Sequence, residues 1–386
     1  SLAVIRDAIE NLRAEGMALD ERRWDPARDP VTIDLLARGK SMGVFYVESP
    51  AMRLLQEKSK TGDFEHLVIH SSIIRPAANR YVREYLRRLH GGRYRCEHPV
   101  LATVLAETYG IMVYQEDVTK VAMALAGFDS VDGDALRKIM AKKSRRKKFE
   151  DYRRMFFEGA GHNGVAPEVI EAVWKMMLSF SGYSFCKPHS ASYVKVSFQS
   201  AYLKAHYPAA FMAAVISNRG GFYTVQAYVG EAQRLGVKVL PPQVNRSLVK
   251  CVSREKSIRI GLHLIKGLTL EAQRILVENR DRYGPYVSLV DLCERTGLAE
   301  SDTERLVLAG ACDCLHPLAD RTELLWRLRS FYRSGTTQPT PPKLRPYSRV
   351  QLLAAQYETL GFLTDFHPIL LVRPRSPGRA IRINRI

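Results

Sequence analysis

Apolar side chains at Leu2, Ile5, Ile9 and Leu12 recur at three- and four-residue intervals with charged residues between them, which predicts an amphipathic helix at the start of the chain. A loop holding Pro26 and Pro30 follows, and a second helix is expected from Thr32. The stretch Ser41 to Pro50 is short, β-branched and aromatic, and reads as a strand or an extended turn. From about Ala51 to Leu240 nearly every segment has helical period. Glycine and proline mark the breaks at Gly91-Gly92, Gly127, Gly161, Gly164, Pro167, Gly182, Pro208 and Gly220-Gly221. Pro241-Pro242 closes this large, mostly α region. The pieces Val249 to Val252 and Ile258 to Gly261 predict a small hairpin, a helix is expected over Leu270 to Asn279, and a helical module continues to about Arg333. Residues 334 to 346 are polar and Pro-rich, hence a linker, and a last helix is expected around Val350 to Leu360. No internal repeat of solenoid period is present. The fold class expected is mainly α.

Charge narrows the partners. Lys and Arg total 58 against 40 for Asp and Glu, a formal net charge of +18, and this favours a polyanion: nucleic acid first, an anionic membrane surface second. No apolar run approaches the length of a bilayer span, and the N-terminus lacks the basic-then-apolar order of a signal peptide, so a cytoplasmic location is expected. The missing initiator Met and the opening within a helical pattern point to a chain cut from something longer. Six cysteines are scattered along 386 residues, and only Cys312 and Cys314 are close, without a second pair or a His at zinc-ligand spacing. They read as reduced thiols, and no metal site is expected.

The densest basic feature is Lys142-Lys143-Ser144-Arg145-Arg146-Lys147-Lys148, six cations in seven residues, with Arg137-Lys138 upstream. Such a run neutralises phosphates or forms a solvated face. A second stretch, Arg75 to Leu89, interleaves arginines with Tyr81 and Tyr85, which suits bases and phosphates or a core-facing tyrosine pair with snorkelling arginines. The segment Phe180 to Tyr193 crowds Lys187, His189, hydroxyls and tyrosines around a turn marked by Gly182 and Pro188. It can offer Lys187 and backbone N–H groups to a phosphate. A Cys186–His189 catalytic pair and a purely structural His189 are the alternatives. Further on, Gly261 to Thr269 places a Gly-containing turn ahead of a helix, a form that presents N–H groups to a DNA backbone without reading bases.

Taken in order, Gly43-Val-Phe-Tyr-Val-Glu-Ser49, Thr108-Tyr-Gly-Ile-Met-Val-Tyr-Gln-Glu116, Leu136-Arg-Lys-Ile-Met-Ala-Lys-Lys143, the Phe180–Tyr193 segment, Tyr202-Leu-Lys-Ala-His-Tyr-Pro208 with Phe211-Met-Ala-Ala214, and Leu240-Pro-Pro242 resemble the fingers region of the bacterial C-family DNA polymerases, the DNA polymerase III alpha subunit family. The resemblance covers nearly the whole chain. It implies a large helical fingers domain over residues 1–242, a small helix-hairpin-helix module over 243–333, a Pro-rich linker over 334–349, and over 350–386 the lead-in to an oligonucleotide-binding domain. Ile74-Arg75-Pro76-Ala77-Ala78 and Cys186-Lys187-Pro188-His189 look more like the error-prone, damage-induced branch than the main replicase.

The resemblance further implies that Arg75, Arg137, Lys142, Lys143, Lys187, His189 and Tyr193 lie near the incoming dNTP. It implies that Arg145, Arg146, Lys147, Lys148, Lys266 and Gly267 meet primer-template DNA. Thr269 stands where the hairpin pattern usually has its second Gly, so a looser hairpin is expected, and no sliding-clamp peptide is evident between Thr336 and Pro346. Polymerases of this kind bind Mg2+ through palm carboxylates, which the sequence lacks in a comparable setting. The expectation is a polymerase part, working with other translesion or replisome proteins, that binds DNA and does not polymerise alone. A non-catalytic DNA-binding module and a Cys–His hydrolase are the competing readings.

Overall fold

The computed structural model describes residues 2–20, 24–75, 79–141, 146–178, 185–334 and 341–365. The mainly α expectation is met: eighteen α-helices and one three-stranded sheet are present among the described residues. The chain divides into two compact units, residues 22–206 and a second made of residues 1–21 with 207–386.

In the first unit, the apolar face of helix Gln115–Ala126 meets helices Ser130–Ala141 and Arg146–His162, around a core that includes Trp174, Phe156, Val121 and Leu136. Gly159 permits a close approach of helix Arg146–His162 to helix Gln115–Ala126, since a Cβ there would lie 2.2 Å from the Ala126 carbonyl oxygen. Gly159→Ala is therefore expected to cost roughly 2 kcal/mol as the helices part, read as a lowered urea midpoint at unchanged slope; an unshifted midpoint would show that the crossing has slack.

Helix Lys187–His206 runs through the same unit with a polar-looking sequence that is half buried. Its small hydroxyl residues let neighbours approach: Ser190 accepts a 2.8 Å hydrogen bond from Ser72 of helix Phe64–Ile73, and Ser197 Oγ donates to the Phe45 carbonyl at 2.9 Å. Lys204, only 1% exposed, donates from Nζ to the Lys40 and Met42 carbonyls, both at 2.7 Å. These bonds anchor the segment around Ser41 to Ser49, which forms turns and not the strand that its composition allowed. Gly43 and Tyr46 take φ values of 84° and 68°, which no strand accommodates. The Gly43 N–H donates to Glu48 Oε2 at 2.8 Å, closing the turn.

In the second unit, helix Leu2–Ala14 packs on helix Pro208–Asn218. The latter starts on a proline and is buried almost all round, so its composition is nearly wholly apolar. The expected hairpin forms, shifted to β2 (Val252–Arg254) and β3 (Ser257–Arg259), with Glu255 at φ 54° in the turn. A further strand, β1 (Lys238–Leu240), pairs in parallel with β3, giving the order β1-β3-β2. It ends at Pro241-Pro242, and its partner is reached only after the intervening loop, which is why local patterning did not reveal it. Helices Leu270–Tyr283, Leu289–Thr296, Glu300–Leu308, Arg321–Ser334 and Arg349–Leu360 complete this unit.

Candidate nucleic-acid and nucleotide interface

Helix Lys187–His206 starts the candidate site, because its first two turns carry Lys187, His189 and Tyr193, the last two in contact on one side. Phe185, just before it, accepts a 3.1 Å backbone hydrogen bond from Gln115, the first residue of helix Gln115–Ala126. The Gln115 side chain accepts 2.8 Å from Arg137 Nη1, and Asp134 pairs with the same guanidinium at 2.8 Å. Arg137, on helix Ser130–Ala141, is thus tied through Gln115 to the start of the Lys187 helix.

Aromatic contacts extend the site. The His189 ring lies parallel to Phe185 at 6.0 Å and contacts Tyr193 at 4.2 Å. Tyr193 stands edge-on to Phe45 and Tyr46, at 5.5 and 5.2 Å. The turn held by Lys204 therefore supplies the wall against which Tyr193, 38% exposed, rests. A π-surface beside cations is the arrangement that stacks a base or sugar while pairing phosphate.

Lys187 is exposed, and its ammonium is bound by both oxygens of Glu107, at 2.6 and 2.7 Å, with the Tyr114 ring 5.6 Å below. The pair is exposed on both sides, so its net contribution to stability is small and an incoming anion can exchange for Glu107. Glu107, Gln115, Phe185, Phe45 and Tyr46 were not singled out as site residues from the sequence. Their only signal was membership of, or adjacency to, separate motifs; Glu107 lies 80 residues from its partner.

Arg75 has a different setting. It is 5% exposed, donates from Nη2 to the Met112 carbonyl at 3.3 Å, and burial lowers its pKa to about 10 against the opposing fields of Tyr81 and Asp117. It also lines a cavity of about 440 Å³ with Leu54, Ile74 and Val82. Lys142, Lys143 and Arg145 lie outside the described residues, as do the side chains of Arg146 and Lys147. Lys148 is exposed on helix Arg146–His162. Cys186 makes no hydrogen bond to His189 among the described residues; its carbonyl accepts from the Ser190 N–H at 3.2 Å, and the imidazole is engaged with Phe185 and Tyr193. That arrangement does not build a thiol–imidazole nucleophile.

In the second unit, Lys266 and Gly267 are exposed at the turn before helix Leu270–Tyr283, and Gly267 takes φ 79°, a left-handed value that glycine permits without strain. The Lys266 N–H donates to the Thr359 carbonyl at 2.8 Å. Thr269 caps the helix through a 3.1 Å bond accepted from Ala272 N–H, while its own N–H and hydroxyl both donate to Asp302 at 3.0 Å. The turn is therefore tied down at Thr269, contrary to the looser hairpin expected, and that N–H is occupied by a carboxylate.

Among the described residues no three His, Cys, Asp or Glu side chains are grouped to hold a metal ion. The donors around Lys187 are cationic and aromatic, with Glu107 committed to the ammonium, and they do not fit a divalent cation.

A cation-and-aromatic surface on a helical scaffold is followed in the chain by a hairpin turn leading into a helix. Residues 1–164 match the family of the bacterial DNA polymerase III alpha subunit finger domain, and residues 236–324 match a helix-hairpin-helix motif. The chain is similar to the DNA polymerase III subunit alpha of Thermus aquaticus, 34% identical over 95% of this chain and 31% of the relative. It is similar to the error-prone DNA polymerase of Symbiobacterium thermophilum, 36% identical over 78% of this chain and 30% of the relative. The error-prone DNA polymerase of Corynebacterium efficiens is 34% identical over 89% and 33%. The chain spans about a third of the length of these relatives. No helix among the described residues is long and apolar enough to cross a membrane.

Proposed function

We propose that this chain serves a bacterial DNA-directed DNA polymerase by holding primer-template DNA and the incoming dNTP. The observation that carries the reading is the link from Arg137 through Gln115 and Phe185 to His189 and Tyr193, joined from segments far apart in sequence, with Lys187 on the first turn of the same helix as His189. In this reading Lys187 leaves Glu107 to take a phosphate of the dNTP, Arg137 supports the same charge, and His189 and Tyr193 pack against the sugar and base. Arg75 supports the site from beneath, and Lys142 and Lys143 extend the triphosphate contacts. Arg145, Arg146, Lys147, Lys148, Lys266 and Gly267 track the DNA backbone.

The domains proposed are fingers over 1–242, helix-hairpin-helix over 243–333, linker over 334–349 and the lead-in to an oligonucleotide-binding domain over 350–386. Divalent-metal chemistry, with Mg2+ as the ion, is assigned to carboxylates other than those around Lys187. The Ile74-Arg75-Pro76 and Cys186-Lys187-Pro188-His189 variants support a place in error-prone synthesis in the cytoplasm, beside other translesion or replisome proteins.

The test is the affinity of the chain for a primer-template duplex across a salt series, with and without the matched nucleotide. A steep negative slope and tightening by the matched nucleotide are expected. Lys187→Ala should reduce that tightening about tenfold, a loss of about 1.4 kcal/mol, with duplex affinity unchanged. Steep salt dependence without any nucleotide effect would leave a plain DNA-binding module and remove the nucleotide pocket.

A further inference from the structure

The register of the small sheet concentrates charge on one side of it. Leu240 pairs with Arg259, which pairs with Val252, and Arg254 pairs with Ser257, so Lys238, Leu240, Val252, Arg254, Ser257 and Arg259 share one face. The opposite face, Val239, Ser253 and Ile258, is buried, with helix Pro208–Asn218 packed against β2 and β3. On the basic face lies a cavity of about 380 Å³, lined by Leu240, Arg246, Val252, Arg254, Ser257 and Arg259. Three guanidinium groups and no carboxylate line it.

Each of these arginines is without an ion pair among the described residues. Arg259 is half-buried and donates from Nη1 to the Pro241 carbonyl at 2.9 Å, which fixes its fork toward the cavity rim, while Arg246 and Arg254 are exposed. Burial, and then the like charge of Arg246, push the Arg259 pKa down. Other arginines in this unit are matched by carboxylates, among them Arg295 by Asp291 at 3.1 Å and Arg321 by Asp313 at 2.9 Å. A group of guanidiniums left unmatched around a concavity is a receptor for an oxyanion, since planar forks suit phosphate oxygens.

We propose that this sheet face is a phosphate-binding site that grips the backbone of a nucleic-acid strand, separate from the hairpin turn at Lys266–Gly267 and from the Lys187 cluster. The identity of the strand rests on the proposed function; the anion site does not. The aliphatic floor of Leu240 and Val252 carries no group to read a base, and the cations lie along the surface of the sheet, as a chain of phosphates requires.

The experiment compares the unsubstituted chain with Arg246→Ala/Arg254→Ala, both exposed positions, and with Arg246→Lys/Arg254→Lys. Duplex binding is followed by fluorescence anisotropy over a salt series, and inorganic pyrophosphate is titrated in a thermal-shift assay. The alanine pair should lower the magnitude of the log K against log salt slope by about two, close to one for each phosphate left without its guanidinium, and the lysine pair should recover it. If the alanine pair loses pyrophosphate stabilisation with DNA binding intact, the anion site stands and its ligand is a free polyphosphate. If neither reading changes, the site is overturned. A chain that binds no DNA but loses pyrophosphate stabilisation in the alanine pair refutes the polymerase reading and keeps the phosphate site.

Discussion

Acidification from pH 6.5 to pH 5 is expected to remove about 2 kcal/mol of stability from the unit formed by residues 22–206, with His70 as the cause. His70 is fully buried on helix Phe64–Ile73, with Tyr85 hydroxyl 3.3 Å from its Nε2. Burial, reinforced by the neighbouring His66 and opposed by Asp63, lowers its pKa from 6.5 to about 3. The unfolded chain therefore takes up a proton below pH 6.5 that the native chain refuses. Stability is complete above that value and falls by about 1.4 kcal/mol per pH unit toward pH 3.

Asp63 adds a second window with the usual carboxylate sign. Hydrogen bonds from His66 outweigh the cost of burial and hold its pKa at about 2, so its contribution is present above about pH 3.8 and lost as pH falls toward 2. Urea titrations at pH 7, 6 and 5 on the chain and on His70→Phe decide the matter, with hydrogen exchange at helix Phe64–Ile73 assigning the change to this unit. The phenylalanine variant keeps a ring beside Tyr85 and should show a shallower slope between pH 6.5 and 5, the remainder coming from His263 and His316, whose pKa burial also lowers. An equal slope in both proteins would place the acid sensitivity elsewhere.

Lys204→Met is expected to cost about 3 kcal/mol, because two enclosed carbonyls lose a charge-assisted donor. Lys204 Nζ bridges Lys40 and Met42, and the chain from there carries Phe45 and Tyr46 to Tyr193. The variant should therefore show two linked effects: a lowered urea midpoint and faster hydrogen exchange through residues 41–48. Since Tyr193 rests on that turn, the matched-nucleotide tightening should fall as well, with duplex affinity retained. A stable variant with the exchange of residues 41–48 unaltered would show that the turn holds itself through Gly43, Glu48 and Ser41. Those residues do contribute: Ser41 Oγ donates to Val47 carbonyl at 2.7 Å.

How much of this was legible beforehand differs from element to element. The helices at Leu2–Ala14, Leu270–Tyr283 and Arg349–Leu360 follow from local periodicity and caps, such as Thr269 and Ser348, whose hydroxyls accept from the third residue onward. The His189 and Tyr193 grouping was readable because four-residue spacing on one helix places them on one side, while Lys187, two residues before His189, leaves the helix in another direction toward Glu107. Arg137 joined them through motif resemblance, and the structure adds the intermediary, Gln115.

By itself, then, the sequence determined the helical class, the basic character, the hairpin and the family, since each depends on composition, local period or ordered motifs. Only the tertiary structure decided the turn at residues 41–48, the strand Lys238–Leu240, the bond from Thr269 to Asp302 and the pairing of Lys187 with Glu107. Each of these depends on a partner distant in the chain. Long-range burial sets which donor meets which acceptor, and a buried polar group must take the partner that folding brings to it.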